Sequence, residues 1–519
     1  MDGTARWLMA LPVAALLMAA LAGGGVSAAG GWGGQGLPRA TGDPRVVDQP
    51  EIPRSCAVLH ADLSTAGGTF SSADESAPPD TARIQAALDS CAGASTGDEH
   101  DGVGGPGDRI RAVELAAGDD ADAFLSAPLT VREDEVLVVD DGVTLYASRN
   151  PTDYQIPGAA TCGTVSVGGP GLDTSDGCYP FITLSGSASG VMGTRGHDGG
   201  RGIIDGRGEM TMVRSSVTWW QNAANANGVG GQNNPMLIQS NGADNLTIYQ
   251  IELKNSAAYH IRIVDGMGLT VWGTMIDTPA AGARNTDGID PVSTSDVTIR
   301  DDMVQDGDDC VSIKTQAGQP SRNITVRDTH CYGTHGISIG SQTGGGVSNM
   351  LVLDSTLNGY DSLGNKSTDD NGIRIKSDAL QGGVVERVTY SGVCMTGIER
   401  ILFFNPDYSS GGTLPPTFKD IVIEKTVSMD SYSSTTDTGS LFAGYDADHP
   451  LQIELDDVHL DVTRLITYNG LSSQDAQVYL RNSNVVPAGT DVTVTTLPGG
   501  GPVPTCTVPA FGYPASTAR

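Results

Sequence analysis

Eight short runs of alternating apolar residues recur from residue 245 onward, each opening on asparagine, aspartate, glutamine or glycine. They are Asn245–Ile248, Gly268–Val271, Asp296–Ile299, Asn323–Val326, Asn349–Val352, Gly383–Glu386, Asp420–Ile423 and Gln452–Leu455. Their starts lie roughly two to three dozen residues apart, the range of repeat architectures. Each run reads as a turn followed by a strand with alternate side chains buried. Little helical pattern separates them, which argues against strand–helix–strand units. A propeller needs more even spacing and four strands per period, and an antiparallel sandwich is the other alternative. The expected fold is all-β: a parallel β-helix, a solenoid whose coils stack and bury a continuous core. Glycine supplies 69 of 519 residues, roughly 13 % against an ordinary 7 % or so, and frequent tight turns fit that.

The N-terminal part is organised differently. Arg6, the apolar run Trp7–Ala22 and the small residues Val26-Ser27-Ala28 predict a signal peptide over 1–28, and hence a secreted, extracellular product. The Gly/Pro-rich stretch 29–50 reads as a flexible leader, and residues 51–519 as the β-helical catalytic domain. Asp80–Cys91 is the clearest helix, with Asp80 as cap and Ile84, Ala87 and Leu88 on one face. It is expected to cover the N-terminal end of the stack. Residues 99–108 read as a loop.

Eight cysteines suit an oxidising compartment. Closeness in sequence favours Cys56–Cys91, Cys162–Cys178 and Cys310–Cys331, leaving Cys394 with Cys506. No C-x-x-C spacing suggests zinc. The formal charge of −31 argues against nucleic-acid binding, which needs a basic face. No later segment is apolar for long enough to span a membrane.

Three segments on successive expected coils carry acids and a base: Asn285–Asp290, Gly307–Cys310 and Thr334–Gly336. A fourth, Gly372–Lys376, is cationic. Adjacent strand residues face opposite sides, so Asp308 and Asp309 avoid burying one carboxylate in the core only if the chain bends, as Gly307 allows. Asp287, about one coil earlier, would stack beside them. Carboxylates sharing one cleft push at least one pKa upward. A protonated acid beside ionised bases is what glycosidic cleavage requires. Arg374 and Lys376, two apart on one strand, project together while Ile373 and Ile375 turn inward. Such a pair can hold a uronic-acid carboxylate.

These segments resemble the four signature motifs of glycoside hydrolase family 28, the polygalacturonases: Asn-Thr-Asp, Asp-Asp, Gly-His-Gly and Arg-Ile-Lys, in that order. Ile204–Gly208, Trp219-Trp220 and Leu253–Ser256 extend the resemblance, which runs from about Cys56 to the last coils. It implies a right-handed β-helix with a substrate groove along one face. It implies hydrolysis of α-1,4-linked galacturonate in de-esterified pectin with inversion of configuration. Asp308 would be the general acid, Asp287 and Asp309 would activate water, and His335 would tune the acid. Arg374 and Lys376 would grip galacturonate carboxylates, with Tyr390 and Asn285 completing the substrate-binding set. Thr334 stands where the family usually has glycine, and its side chain is expected to narrow the turn or shift His335.

Calcium-assisted pectate elimination and a non-catalytic β-helical adhesin are the competing readings, with branched galacturonans as alternatives within the family. The intact Arg374-Ile375-Lys376 set favours unbranched polygalacturonate, and the absence of an evident extra N-terminal domain leans towards endo action. Cationic residues must then gather in the cleft of an acidic protein, with activity favoured at acidic pH or moderate salt. No cofactor or metal is implied, a monomer suffices, and Asn245, Asn323 and Asn365 open glycosylation sequons.

Overall fold

A computed structural model of the protein describes residues 36–94, 110–167, 177–197, 199–366, 368–431, 440–461, 464–465, 475–487 and 489–513. The expected signal peptide 1–28, the leader up to residue 35 and the 99–108 loop lie outside the described residues.

The chain is a right-handed parallel β-helix. Ten strands stack in chain order into one all-parallel sheet: β1 (Leu129–Val131), β2 (Ile182–Leu184), β3 (Ile238–Asn241), β4 (Ile261–Val264), β5 (Ile289–Val292), β6 (Val311–Ile313), β7 (Ile337–Ile339), β8 (Asn371–Lys376), β9 (Arg400–Asn405) and β10 (Leu441–Phe442). Each pairs only with the strand a coil before and a coil after it. A 23-stranded sheet supplies the other walls of the coils.

Register makes the core. Ile182, Ile238, Ile261, Ile289, Val311, Ile337, Ile373 and Leu402 fall on one another through successive coils, and all are fully buried. Branched aliphatics at every second position fill a stack of this kind, and the intervening residues face outward.

The residues that open the runs have a conformational task. Asn245, Asp296, Asn323, Asn349 and Asp420 have φ between 53° and 59°, left-handed backbone that Asn and Asp tolerate better than other L-residues. Their side chains also stack: Asn349 Nδ2 donates to Asn323 Oδ1 at 2.9 Å, and Asn323 Nδ2 to Asp296 Oδ1 at 2.8 Å. One run is displaced from its expected place. Met350 and Ile421 pair with Val388, so the stacked unit is Arg387–Tyr390, not Gly383–Glu386. The strand Val384–Ser391 contains most of both, and Arg387 takes the left-handed position at φ 51°.

The N-terminal helix spans Thr81–Ala94 and buries Ile84 and Leu88 completely. Asp80 holds the cap position, its carbonyl accepting from Ile84 N at 2.9 Å, but its side chain caps no helical N–H. Its Oδ2 accepts from Leu125 N and its Oδ1 from Arg83 Nε, which ties the helix to the first coils instead. All four disulfides form in the expected pairing, with Cα–Cα separations of 5.1 to 6.0 Å.

From residue 36 the leader is not loose. Residues 36–50 form no helix or strand, yet they run across the outer face of the 23-stranded sheet. Arg39 pairs with Glu424, Glu454 and Asp456, Ala40 N donates to Thr389 Oγ1, and Thr41 N to Asn349 Oδ1. Asp43 engages Thr325 and Thr298, and Gln49 reaches Tyr249. These partners descend from late coils to early ones, so the segment is a strap along the solenoid axis. No helix among the described residues is long and apolar enough to cross a membrane.

Candidate active site

The motif residues gather on the outward face of the ten-stranded sheet. Asn285–Asp287 lead into β5, Asp308 and Asp309 into β6, and His335 into β7, while Arg374 and Lys376 lie on β8. Coil stacking brings the four segments together. The chain leaves its strand after Gln305 and bends at Gly307 and Asp308 before β6 begins. A Cβ on Gly307 would lie 2.0 Å from the carbonyl oxygen of Ala283, so only glycine lets the two coils approach here. The bend keeps both acids out of the apolar core.

Asp309 is the fixed charge of the site. Its side chain is 1 % exposed, with Lys376 Nζ 3.0 Å from Oδ2 and Arg374 Nη2 against Oδ1. Ser338 Oγ donates to the same Oδ1 at 2.7 Å. Burial opposes ionisation, but the charges of Arg374 and Lys376 outweigh it and hold this carboxyl far below the usual range.

Asp308 is more accessible. Its side chain is 15 % exposed, and its Oδ1 lies 2.8 Å from His335 Nδ1. Asn285 Nδ2 donates to its other oxygen at 3.3 Å. Burial, the largest influence, pushes its pKa up, but His335 and Lys376 together with its other neighbours leave it below the ordinary value. Thr334 is accommodated, because its hydroxyl accepts from Gly336 N at 3.1 Å and so braces the turn that carries His335. Gly336 has φ 83°, and a Cβ there would sit 2.0 Å from the carbonyl oxygen of Gly372.

Asp287 belongs to a second cluster. Lys314 Nζ lies 2.8 Å from its Oδ2 and also bonds Asp290. Burial raises Asp287 well above the carboxylate range, Lys314 offsets part of this, and Asp290, Asp308 and Asp309 add to it. Burial likewise takes Asp290 to about 6. Two buried acids therefore share one ammonium, and both have pKa values raised above the ordinary carboxylate. These directions oppose the expected roles, with the expected acid low and an expected base high.

One expected contact is corrected. Tyr390 is fully buried, stacked between Val352 and Ile423, and its hydroxyl donates to the carbonyl of Ile337 at 3.3 Å. Strand alternation directs it into the core under β7, not into the groove. Arg374 is fully buried too. Its Nη1 lies 2.6 Å from Asp369 Oδ2 while Nη2 serves Asp309, so the structure places it between two acids of its own chain. Asn285 and Lys376 lie within the cluster as expected.

Four further residues have no role assigned to them from the sequence. Lys314 and Asp290 follow the same outward alternation as Arg374 and Lys376, which was a usable signal. Asp306 is fully buried beneath the bend and accepts from Asp308 N at 2.8 Å, and burial raises it well above the carboxylate range. Asp369 sits in a loop, where no periodicity marks it. Asp308, Asp309 and His335 offer ligand atoms within 4.8 Å of one another, close enough for a cation. Both oxygens of Asp309 are already bonded, however, and Arg374 and Lys376 would repel a cation there.

Residues 165–474, more than half of the chain, match the sequence profile of glycosyl hydrolases family 28. The chain belongs to glycosyl hydrolases family 28. Within it, a polygalacturonase of Ralstonia nicotianae is 32 % identical over 548 residues, covering 95 % of each chain. An endo-polygalacturonase of Pectobacterium parmentieri is 37 % identical over 391 residues, 74 % of this chain and 83 % of that one. The solved polygalacturonase from Erwinia carotovora ssp. carotovora superposes with a TM-score of 0.66 at 32 % identity, covering 86 % of this chain and all 100 % of that one. The family 28 motifs thus fall on the cluster just described.

Proposed function

We propose that this family 28 enzyme hydrolyses α-1,4-galacturonosyl linkages in polygalacturonate, the de-esterified backbone of pectin, with inversion at the anomeric carbon. The observation that carries the reading is the division of labour between adjacent aspartates. Asp309 is locked as an anion by two cations, while Asp308 is partly exposed and hydrogen-bonded to His335. Substrate covering Asp308 removes water from the pair, and desolvation favours the neutral form of both partners. The proton then passes along the 2.8 Å bond from Nδ1 to Oδ1, and Asp308 donates it to the leaving glycosidic oxygen as that bond breaks. Water adds to the anomeric carbon from the opposite side and gives its proton to Asp287 or Asp309. Asp287 Oδ1 has no partner among the described residues and offers the acceptor.

Endo action is supported by the sheet itself, which continues on both sides of the acids, through β1–β4 and β8–β10. The Pectobacterium relative is also named as an endo-enzyme. A secreted monomer with an N-terminal signal peptide and a single catalytic domain completes the reading. Four disulfides support an oxidising destination, and one chain supplies the whole cluster.

The test is product analysis on polygalacturonate. Reducing ends should rise without the ultraviolet absorbance of unsaturated uronides, and Asp308→Asn should lower the rate at least about a hundredfold with the melting temperature retained. Absorbance rising in step with reducing ends would replace hydrolysis by elimination.

A further inference from the structure

The natural destination for a substrate carboxylate, Arg374, is already occupied. Its side chain is 1 % exposed, and three of its nitrogens are bonded: Nε to Ser338 Oγ at 3.0 Å, Nη2 to Asp309, and Nη1 to Asp369 Oδ2 at 2.6 Å. Asp369 is the outermost of these partners, at 28 % exposure, and its other oxygen is bonded by Arg400 Nη1, whose side chain is 20 % exposed. One carboxylate thus bridges a buried guanidinium and a more accessible one. Its neighbour Asp370 is used differently, accepting from Lys366 Nζ at 2.8 Å and from Glu399 N.

We propose that Asp369 is a resident stand-in for the substrate carboxylate, and that it makes the site selective for free uronate over its methyl ester. The proposal rests on the polygalacturonate reading above. Substrate binding exchanges one carboxylate for another: Asp369 moves wholly onto Arg400, and the uronate takes Nη1 of Arg374. The exchange keeps the charge around Arg374 constant, so Asp309 keeps its partner throughout. A methyl ester brings no charge and cannot complete the exchange. Protonation does not release Asp369, because burial is outweighed by Arg374, His335 and Arg400, which hold it at about 2. Arg400 is therefore the holding site that makes the exchange possible.

Two variants of the full-length enzyme test this in opposite directions. Asp369→Asn removes the competing charge and should lower KM for polygalacturonate about three- to tenfold, as expected when a competent state becomes dominant. Its advantage should shrink on highly methyl-esterified pectin. Arg400→Gln leaves Asp369 with Arg374 alone and should raise KM on polygalacturonate. A purely structural role would impair both variants together. Asp369→Asn raising KM, or both variants shifting the same way, overturns the proposal. If Asp369→Asn does not fold, Arg400→Gln decides, and a KM unchanged or lowered overturns it. Wild-type enzyme inert on polygalacturonate would instead sink the functional reading itself.

Discussion

Lys314 shows how much one side chain governs here. Its ammonium stands between Asp287 and Asp290, 4.4 Å above the ring of Tyr259, and burial opposes its charge less than the two acids favour it. Lys314→Met would leave those acids without their cation, and an uncompensated buried charge costs about 3–5 kcal/mol. Asp287 would then hold its proton to higher pH. Because a base must be deprotonated, the acid limb of the rate profile should move upward, which a pH series of kcat/KM would read out. An unmoved limb would mean that Asp287 is not the base. Among single residues, those on strands were legible, since alternation tells inward from outward. Lys376 lies on β8, while Asp287, Asp308, Asp309 and His335 lie in the turns that lead into β5, β6 and β7. Tyr390 misled because a family motif was read ahead of its register: Val388 and Tyr390 alternate inward with the rest of their strand. Asp369 gave no signal, because a loop residue's partners depend on chain geometry that periodicity does not encode.

At the scale of elements, the strap 36–50 changes how the solenoid is held. Its partners come from coils far apart in sequence, so it docks fully only when those coils have formed. Arg39 is its densest contact, bonded to Glu424, Glu454 and Asp456 at 2.9 to 3.2 Å. Arg39→Ala should lower the melting temperature by a few degrees without changing KM, since the strap lies on the sheet that does not carry the acids. Thermal unfolding of variant and wild type checks this, and an unchanged melting temperature would make the strap incidental. The coils were legible from their openings, because a left-handed residue before each strand must be Asn, Asp, Gly or a tolerated exception. Arg387 is such an exception, and it is why one run was placed at Gly383. The strap was illegible for the opposite reason: Gly and Pro composition reports local freedom, while its order comes from distant side chains.

Across the whole molecule, acidity sets the conditions of stability. A formal charge of −31 is self-repulsive at neutral pH. Several carboxyls are also raised by burial, among them Glu135 to about 7, Glu209 to about 7 and Asp290 to about 6. An acid raised in the folded state binds its proton more tightly there than in the unfolded chain. Its stabilising contribution is full at low pH and is lost as pH rises through the folded value. Melting temperature should therefore fall between about pH 5 and pH 8, and Glu135→Gln should flatten the slope. A melting temperature rising across that window would show that ion pairs such as Asp309 with Arg374 dominate instead. The tension between an acidic protein and an anionic substrate resolves locally. Lys314, Arg374 and Lys376 do gather on the groove face as expected, but each is already matched by acids, so substrate meets a balanced site and not a positive patch.

The roles of the three aspartates depend on direct attack by water opposite Asp308. Nuclear magnetic resonance of the anomeric protons, taken in the first moments of polygalacturonate cleavage, reads this without mutation. The new reducing ends should appear as β-anomers and only later equilibrate. Initial α-anomers would mean retention through a covalent intermediate and would contradict the roles assigned to Asp287, Asp308 and Asp309.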